Sequence, residues 1–294
     1  MRCGLRDALG WRVKPVDSRD RTLHAMRMAL LGFAAVRRSR HSSGEPTRTG
    51  MTVLVLFTDF GHRDPYVGQL KARLAEGAPG IPVIDLLHEA PDFTPHAGAH
   101  LLAALAPQFP AGSVLLAVVD PGVGTPRGTV VAEADGRWYV GPDNGLLSVV
   151  LARESAVRLW RIVWRPDSLS ATFHGRDLFA PIAAAIASGT FPQARLDPVD
   201  QLGVEFDAGD LARVIYVDHY GNAWTGVRGG GAIRDVRAAG QPFPFADTFG
   251  SVGKGEAVAF VNSVGLVELA VNRGNAAAAF GLKVGDRVEV VPAR

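Results

Sequence analysis

Three short runs constrain most strongly what this chain can fold into: Thr52–Phe57, Pro82–Leu87 and Ser113–Val119. Each is apolar almost throughout and rich in β-branched residues, the pattern of a strand buried on both faces. Segments of helical spacing lie between and after them. Tyr66, Val67, Leu70 and Leu74 put an apolar stripe on a helix over Tyr66–Glu76, and His96–Gln108 is an Ala/Leu-rich helix. Such alternation predicts a mostly parallel sheet with helices packed on its faces. Thr129–Ala134 and Arg137–Val140 flank Asp135-Gly136, a strong hairpin signal, and further helices are expected over Leu146–Arg153 and Asp177–Ala187.

The pattern changes after Gly189. Phe191–Phe206 is rich in Pro and Asp and reads as a connector. Beyond it come short strands with glycine turns: Ala212–Val217, Ala223–Val227, Ala257–Asn262, Leu266–Val271 and Arg287–Val291. A second, mainly β domain is expected there. The organisation is therefore a leader over 1–50, an α/β domain over 51–190, a linker over 191–211 and a β domain over 212–294.

Charge separates the leader from the rest. Residues 1–50 hold eleven Arg or Lys against four Asp or Glu, a net +7, while the remaining residues carry 20 basic and 25 acidic side chains, a net −5. The basic pI near 8.9 therefore belongs to the leader and is no sign of a nucleic-acid-binding body. The leader reads as a disordered tail, or as an upstream start with Met51 the true one. Its longest apolar stretch, Met28–Val36, has nine residues, where a membrane span needs about 20. Arg37-Arg38 follows where a signal peptide would place small residues. The single cysteine, Cys3, excludes disulfides, thiolate metal sites and cysteine nucleophiles in the body, and fits a cytoplasmic setting.

Ligands of open α/β sheets bind beyond the C-terminal strand ends, where three polar loops are expected. They are Thr58–Asp64, Asp120–Arg127 and Phe173–Asp177. A carboxylate, a guanidinium and an imidazole on these loops can form a polar site. Each also has a plainer role, Asp59 as a helix N-cap, Asp120-Pro-Gly as a turn, His174 as a structural histidine. Gly122-Val-Gly124 and the stretch Gly250–Gly255 lack the spacing of a phosphate loop. His96 and His100 sit i, i+4 on a helix, but no third metal ligand accompanies them, so they read as a plain helix face. Ser263 lacks a nucleophile-elbow context.

Taken together and in order, six motifs resemble one family. They are Thr58-Asp-Phe-Gly61 with Asp64, Tyr66, Val67, Gly68 and Lys71; Val119-Asp-Pro-Gly-Val-Gly-Thr125 with Arg127; Gly141-Pro-Asp-Asn-Gly145; Phe173-His-Gly-Arg-Asp177; Asp218 with Gly221, Asn222 and Thr225; and Asn262-Ser263 with Gly265, Glu268, Ala270-Val-Asn272 and Gly274-Asn-Ala276. The sequence resembles, from about Thr52 to Val291, the S-adenosyl-L-methionine (SAM) hydroxide adenosyltransferases, or SAM hydrolases, relatives of the SAM-dependent fluorinase and chlorinase. The resemblance implies an N-terminal Rossmann-like α/β domain, a smaller C-terminal β-barrel-like domain and a homotrimer with sites between subunits. It implies hydrolysis of SAM to adenosine and L-methionine by attack of water or hydroxide on ribose C5′. The sulfonium is an activated leaving group, so no metal or cofactor is expected, and neither nucleic acid nor membrane as a partner.

Carried over by motif, the resemblance makes Asp120, Arg127 and His174 the catalytic group. Arg127 stays charged and serves to stabilise developing hydroxide and orient Asp120, leaving Asp120 or His174 as the base. It implies Asp59 as the clamp on the ribose hydroxyls and Phe93 as an aromatic near the ribose. Asp218 would pair with the methionine ammonium, beside Asn222 and Ser263. Trp224 and Phe249 would line the adenine pocket, and the backbone around Asn275 and Ala276 would read the adenine edge. The halogenase relatives place neutral donors where this chain has Asp120, and a carboxylate there repels a halide. Val264 stands where they tend to have Arg. A SAM-dependent halogenase and a SAM or adenosine sensor without turnover are the competing readings.

Overall fold

A computed structural model of the protein describes residues 52–293. The basic leader, with its expected disorder or misplaced start, lies outside the described residues.

The three apolar runs form strands on one side of a seven-stranded sheet, with the run Pro82–Leu87 at its edge. The strands and helices of this part are β1 (Leu54–Thr58), α1 (Tyr66–Gly77), β2 (Val83–Leu87), α2 (Pro95–Leu105), β3 (Val114–Val118), β4 (Gly128–Ala134), β5 (Arg137–Asp143), α3 (Ser148–Ala152), β6 (Val157–Ile162), α4 (Ala180–Ala187) and β7 (Leu196–Val199). Their order across the sheet is β2-β1-β3-β5-β4-β6-β7. Pairing is parallel from β2 to β5 and antiparallel from β5 to β7.

Burial on both faces explains the apolar runs of β1 and β3, whereas β2, expected to be buried in the same way, is the edge strand and leaves Ile84 and Asp85 exposed. Val55, Phe57, Leu115, Ala117 and Val119 point to the side covered by α2 and α3. Leu54, Leu56, Val114, Leu116 and Val118 point to the side covered by α1 and α4. The expected hairpin joins β4 to β5 through Asp135 (φ 45°) and Gly136 (φ 78°), the left-handed pair of a two-residue hairpin turn. Leu196–Val199, inside the segment read as a connector, is the edge strand of this sheet, paired with β6.

The remaining strands are β8 (Leu211–Val217), β9 (Ala223–Arg228), β10 (Ile233–Ala238), β11 (Gln241–Pro244), β12 (Ala257–Val261), β13 (Leu266–Val271) and β14 (Val288–Pro292), with α5 (Ala276–Phe280) before β14. They make a four-stranded sheet, β12-β13-β9-β8, and a three-stranded sheet, β11-β10-β14. Single bridges, Arg213 to Arg287 and Phe245 to Ala259, join the two sheets at both edges. The result is a small closed barrel filled by Val214, Val236, Phe243, Val267 and Leu269. Its outer residues Ile215 and Leu266 join the core beneath α2 and α3, so barrel and large sheet pack as parts of one compact unit.

Candidate active site

The loop after β3 turns back at once. Val123 N–H bonds to Asp120 C=O at 3.3 Å, and Thr125 Oγ1 donates to Gly122 C=O at 2.7 Å. Gly124 has φ +77°, and a Cβ there would stand 2.5 Å from the Ala171 carbonyl oxygen. Only glycine lets this loop lie against the segment that leads into Phe173–Asp177. That segment is anchored by Asp177, whose carboxylate accepts Ser170 N–H at 3.0 Å, and continues as a π-helical turn, Gly175–Phe179, into α4.

The close approach puts three of the expected residues in contact. Arg127 Nε lies 2.9 Å from each oxygen of Asp120, and Nη2 also donates to Oδ2. The same Nη2 reaches His174 Nδ1 at 3.1 Å. The Asp120 and Arg127 side chains are nearly closed to solvent, at 4% and 10% exposure. A guanidinium can only donate, so His174 Nδ1 is the acceptor and a neutral ring carries its hydrogen on Nε2. Burial, then the charge of Arg127, holds the His174 pKa below its ordinary value. Asn144, which follows β5, donates from Nδ2 to Val119 C=O at 2.9 Å and so fixes the backbone that enters Asp120.

Asp59 lies within the electrostatic reach of Asp120. Burial pushes its pKa up to about 6, with Asp92 and Asp120 adding to the rise and the Phe93 amide opposing it. That amide stands 3.4 Å from Asp59 Oδ2, in a backbone turn where Phe93 has φ 54° and leaves its ring 76% exposed. Helix α1 begins at Tyr66 after Pro65, so Asp59 is not its N-cap. Asp59, Phe60, Gly61, His88, Tyr216 and Val284 line a cleft of about 440 Å³ between the large sheet and the barrel. Beneath it Thr58 Oγ1 bonds His88 Nδ1 at 2.8 Å, and His88 Nε2 stands 3.1 Å from Asp85. Phe60, Tyr66 and Phe173 form a cluster of tilted rings, with centroids 5.5–6.1 Å apart, beside Gly175.

The barrel holds a second polar group. Asp218, in the turn from β8 to β9, accepts Tyr220 N–H and Asn222 N–H on Oδ1, each at 2.9 Å, and Asn222 Nδ2 on Oδ2 at 3.2 Å. Ser263 is exposed in the turn between β12 and β13. Asn275 caps α5 by accepting Ala278 N–H at 2.7 Å, and its side chain presses on Gly221, where φ is +83° and a Cβ would lie 2.1 Å away. Ala276 is buried at the start of that helix.

Not all expected neighbours meet. Trp224 packs on Tyr216 at 5.6 Å, with its indole nitrogen buried and unpartnered. Phe249 packs on Phe260 at 4.6 Å, and β13 separates β12, which carries Phe260, from β9, which carries Trp224. No hydrogen bond or ion pair among the described residues links the Asp120 group to the Asp218 group. His100 is not a plain surface residue, since it is 1% exposed and both ring nitrogens lack partners. Among the described residues no group of three could hold a metal ion, and no helix is long and apolar enough to cross a membrane.

Asn144, His88 and Glu268 join these networks without a role expected from the sequence. Asn144 and Glu268 lie inside family-like motifs, whose residue types alone do not show what these side chains contact. His88 lay in no motif.

Residues 54–196 match the family model described as the SAM hydroxide adenosyltransferase N-terminal domain, and residues 212–289 match that of the C-terminal domain. The chain is 40% identical to a protein of Thermus thermophilus named (R)-S-adenosyl-L-methionine hydrolase, over 82% of this chain and 100% of that one. A crystal structure of an uncharacterized conserved protein from Thermotoga maritima superposes with a TM-score of 0.73 at 31% identity, covering 81% of this chain and 99% of the other. A Nocardia brasiliensis protein named fluorinase is more distant, at 26% identity over 81% of this chain and 96% of its own length.

Proposed function

The chain belongs to the SAM hydroxide adenosyltransferase family, and from that premise we infer that it hydrolyses SAM to adenosine and L-methionine. The observation that carries the reading is the Arg127 guanidinium, which grips both oxygens of Asp120 and Nδ1 of His174. That arrangement suits the activation and alignment of one water.

The chemistry asked of the protein is modest. The sulfonium sulfur is already cationic and departs with the C5′–S bonding pair as the neutral thioether of methionine, so the substitution at C5′ needs an in-line nucleophile and a place for its proton. His174 spends its Nδ1 lone pair on Arg127, and its Nε2–H is then a donor that orients the water. Asp120 keeps unused acceptor sites on its carboxylate and takes the proton. Arg127 stabilises the developing hydroxide. Asp59, when ionised, accepts from both ribose hydroxyls. Asp218 takes the methionine ammonium, since its carboxylate has acceptor capacity beyond the three local N–H groups it already binds. In this reading no metal takes part, and Asp120 turns away a halide nucleophile.

The names of the curated relatives specify the (R) form at sulfur, and we assign the same diastereomer to this chain. Inversion at sulfur exchanges the methyl and aminobutyrate arms, so a site that fixes ribose at one end and ammonium at the other admits one of them. Incubation with each purified diastereomer, followed by chromatography for adenosine, tests both statements. No adenosine from either, relative to heat-killed protein, sinks the reading; equal rates remove the stereochemical part.

We further place the working site between subunits of a homotrimer in the cytoplasm. Support for the trimer is the separation of the Asp120 and Asp218 networks within one chain, together with the family resemblance. Mixing inactive Asp120→Ala chains with weakly binding Asp218→Ala chains during refolding should raise turnover at SAM well below the raised KM, because some interfaces then carry two intact halves. No recovery would put both halves in one chain. Sedimentation gives the oligomeric state directly.

A further inference from the structure

Glu268 has no part in the chemistry above. It lies on β13 with its side chain turned away from the barrel interior that Val267 and Leu269 fill. It is 5% exposed and sits across from Trp224 on β9. Its carboxylate accepts Asn262 Nδ2 at 3.2 Å and shares Asn222 with Asp218. The charged group that faces it is Asp218. β12 carries no charged residue, and the one charge of β9, Arg228, is paired with Asp210. Two carboxylates thus share one amide side chain, and the donors around them are neutral.

We propose that Glu268 is the second carboxylate of the ammonium subsite, a positioning group that releases its proton when a cation settles on Asp218. The step rests on the SAM-hydrolase reading of that site. Without ligand, burial and the charge of Asp218 push the Glu268 pKa up to about 7. A bound ammonium offsets the Asp218 charge, the carboxyl of Glu268 ionises, and its proton passes to solvent. The paired negative charge then holds the amine and, through Asn222, fixes the orientation of Asp218. Ligand binding and proton release are coupled by linkage.

Calorimetric titration with L-methionine in the presence of adenosine, at pH 7 in two buffers of different ionisation enthalpy, reads the released proton. The expected value is up to about half a proton per site, since a group with pKa near 7 is half protonated there. The methionine analogue that lacks the amino group should bind with no release. Glu268→Gln keeps the acceptor for Asn262 and should abolish the release. In turnover it should raise KM for SAM about tenfold with kcat little changed, and it should remove the rise in KM expected of the native enzyme as pH falls through 7. L-methionine does not touch Asp59, so that residue's titration stays out of the calorimetric signal. Native binding without proton release, or a Glu268→Gln variant that still releases it, overturns the proposal while leaving the hydrolase reading intact. Absence of both methionine binding and adenosine formation overturns the two together.

Discussion

The two polar groups of this molecule solve the problem of buried charge in opposite ways. In the large sheet, Asp120 meets a guanidinium that grips both its oxygens and also takes up His174. In the barrel, Asp218 and Glu268 meet only backbone N–H groups and asparagine amides. A carboxylate matched by an internal cation is complete before any ligand arrives, which suits a group that must be rigid for chemistry. A carboxylate pair without one is complete only when a cation comes from outside. On the proposed hydrolase reading, the first group acts and the second recognises.

Arg127→Ala tests that division most severely. It strands the Asp120 carboxylate, and adenosine formation should fall by about a thousandfold, the scale of losing a charge-stabilising donor. Arg127→Lys should rescue little of it, since an ammonium cannot replace a planar fork that serves two partners. A variant that keeps native kcat would show that the internal cation is structural. Asp120→Ala should abolish turnover and retain SAM binding, as read by equilibrium dialysis.

The seam between the halves should respond to acid. His100 on α2 faces His96, Arg153, Asp207 and Asp210, and burial pushes its pKa from the ordinary 6.5 down to about 4. The folded chain binds that proton less readily than the unfolded chain. Stability is therefore full above about pH 6.5 and falls as pH drops toward 4, by on the order of 3 kcal/mol. His100→Leu should flatten this part of the Tm profile measured by scanning calorimetry. An unchanged profile would assign the acid loss elsewhere.

Asp218→Asn should act on recognition alone. A charged hydrogen bond contributes about 1.5–3 kcal/mol, so KM for SAM should rise roughly 10- to 100-fold while kcat stays within a few-fold. A fall in kcat with KM unchanged would erase the division of labour. The ribose end has its own signature. Asp59 must be ionised to accept two hydroxyls and has a pKa near 6, so KM should climb again below pH 6. Asp59→Asn should lose that break.

The smallest expected effect is Gly221→Ala. The new methyl would meet Asn275 in a left-handed turn, at a cost on the order of 1–2 kcal/mol and a Tm lowered by a few degrees. Catalysis at Asp120 should be untouched, and a changed kcat would mean that the turn communicates with the other half.

The sequence made the centre of the large sheet legible because β1 and β3 are buried on both faces and say so in every residue. It was silent where burial is partial or backbone geometry unusual. β6 mixes Arg158 and Arg161 with apolar residues, and β10 mixes Arg234, Asp235 and Arg237. β7 and β11 contain prolines and lie at sheet edges, where proline is tolerated. The Asp120–Arg127–His174 contact was legible only through motif resemblance, since 47 residues separate Arg127 from His174. What joins them is the glycine-permitted approach to Ala171, which no spacing rule contains. Glu268 was hidden in a different way, because an acidic residue in an apolar strand carries no sign of what it faces.

The shared guanidinium also bears on how such a site can change over generations. Asp120 and His174 hang on one side chain, so neither can drift alone. Loss of the acid leaves an unpaired buried cation, and loss of the arginine leaves an unpaired buried anion, each among the more destabilising single changes a fold can suffer. A lineage that exchanges this charged trio for the neutral lining a halide requires must pass through less stable, inactive intermediates or change several positions together. The wiring of one arginine thereby acts as a ratchet on the nucleophile the pocket accepts.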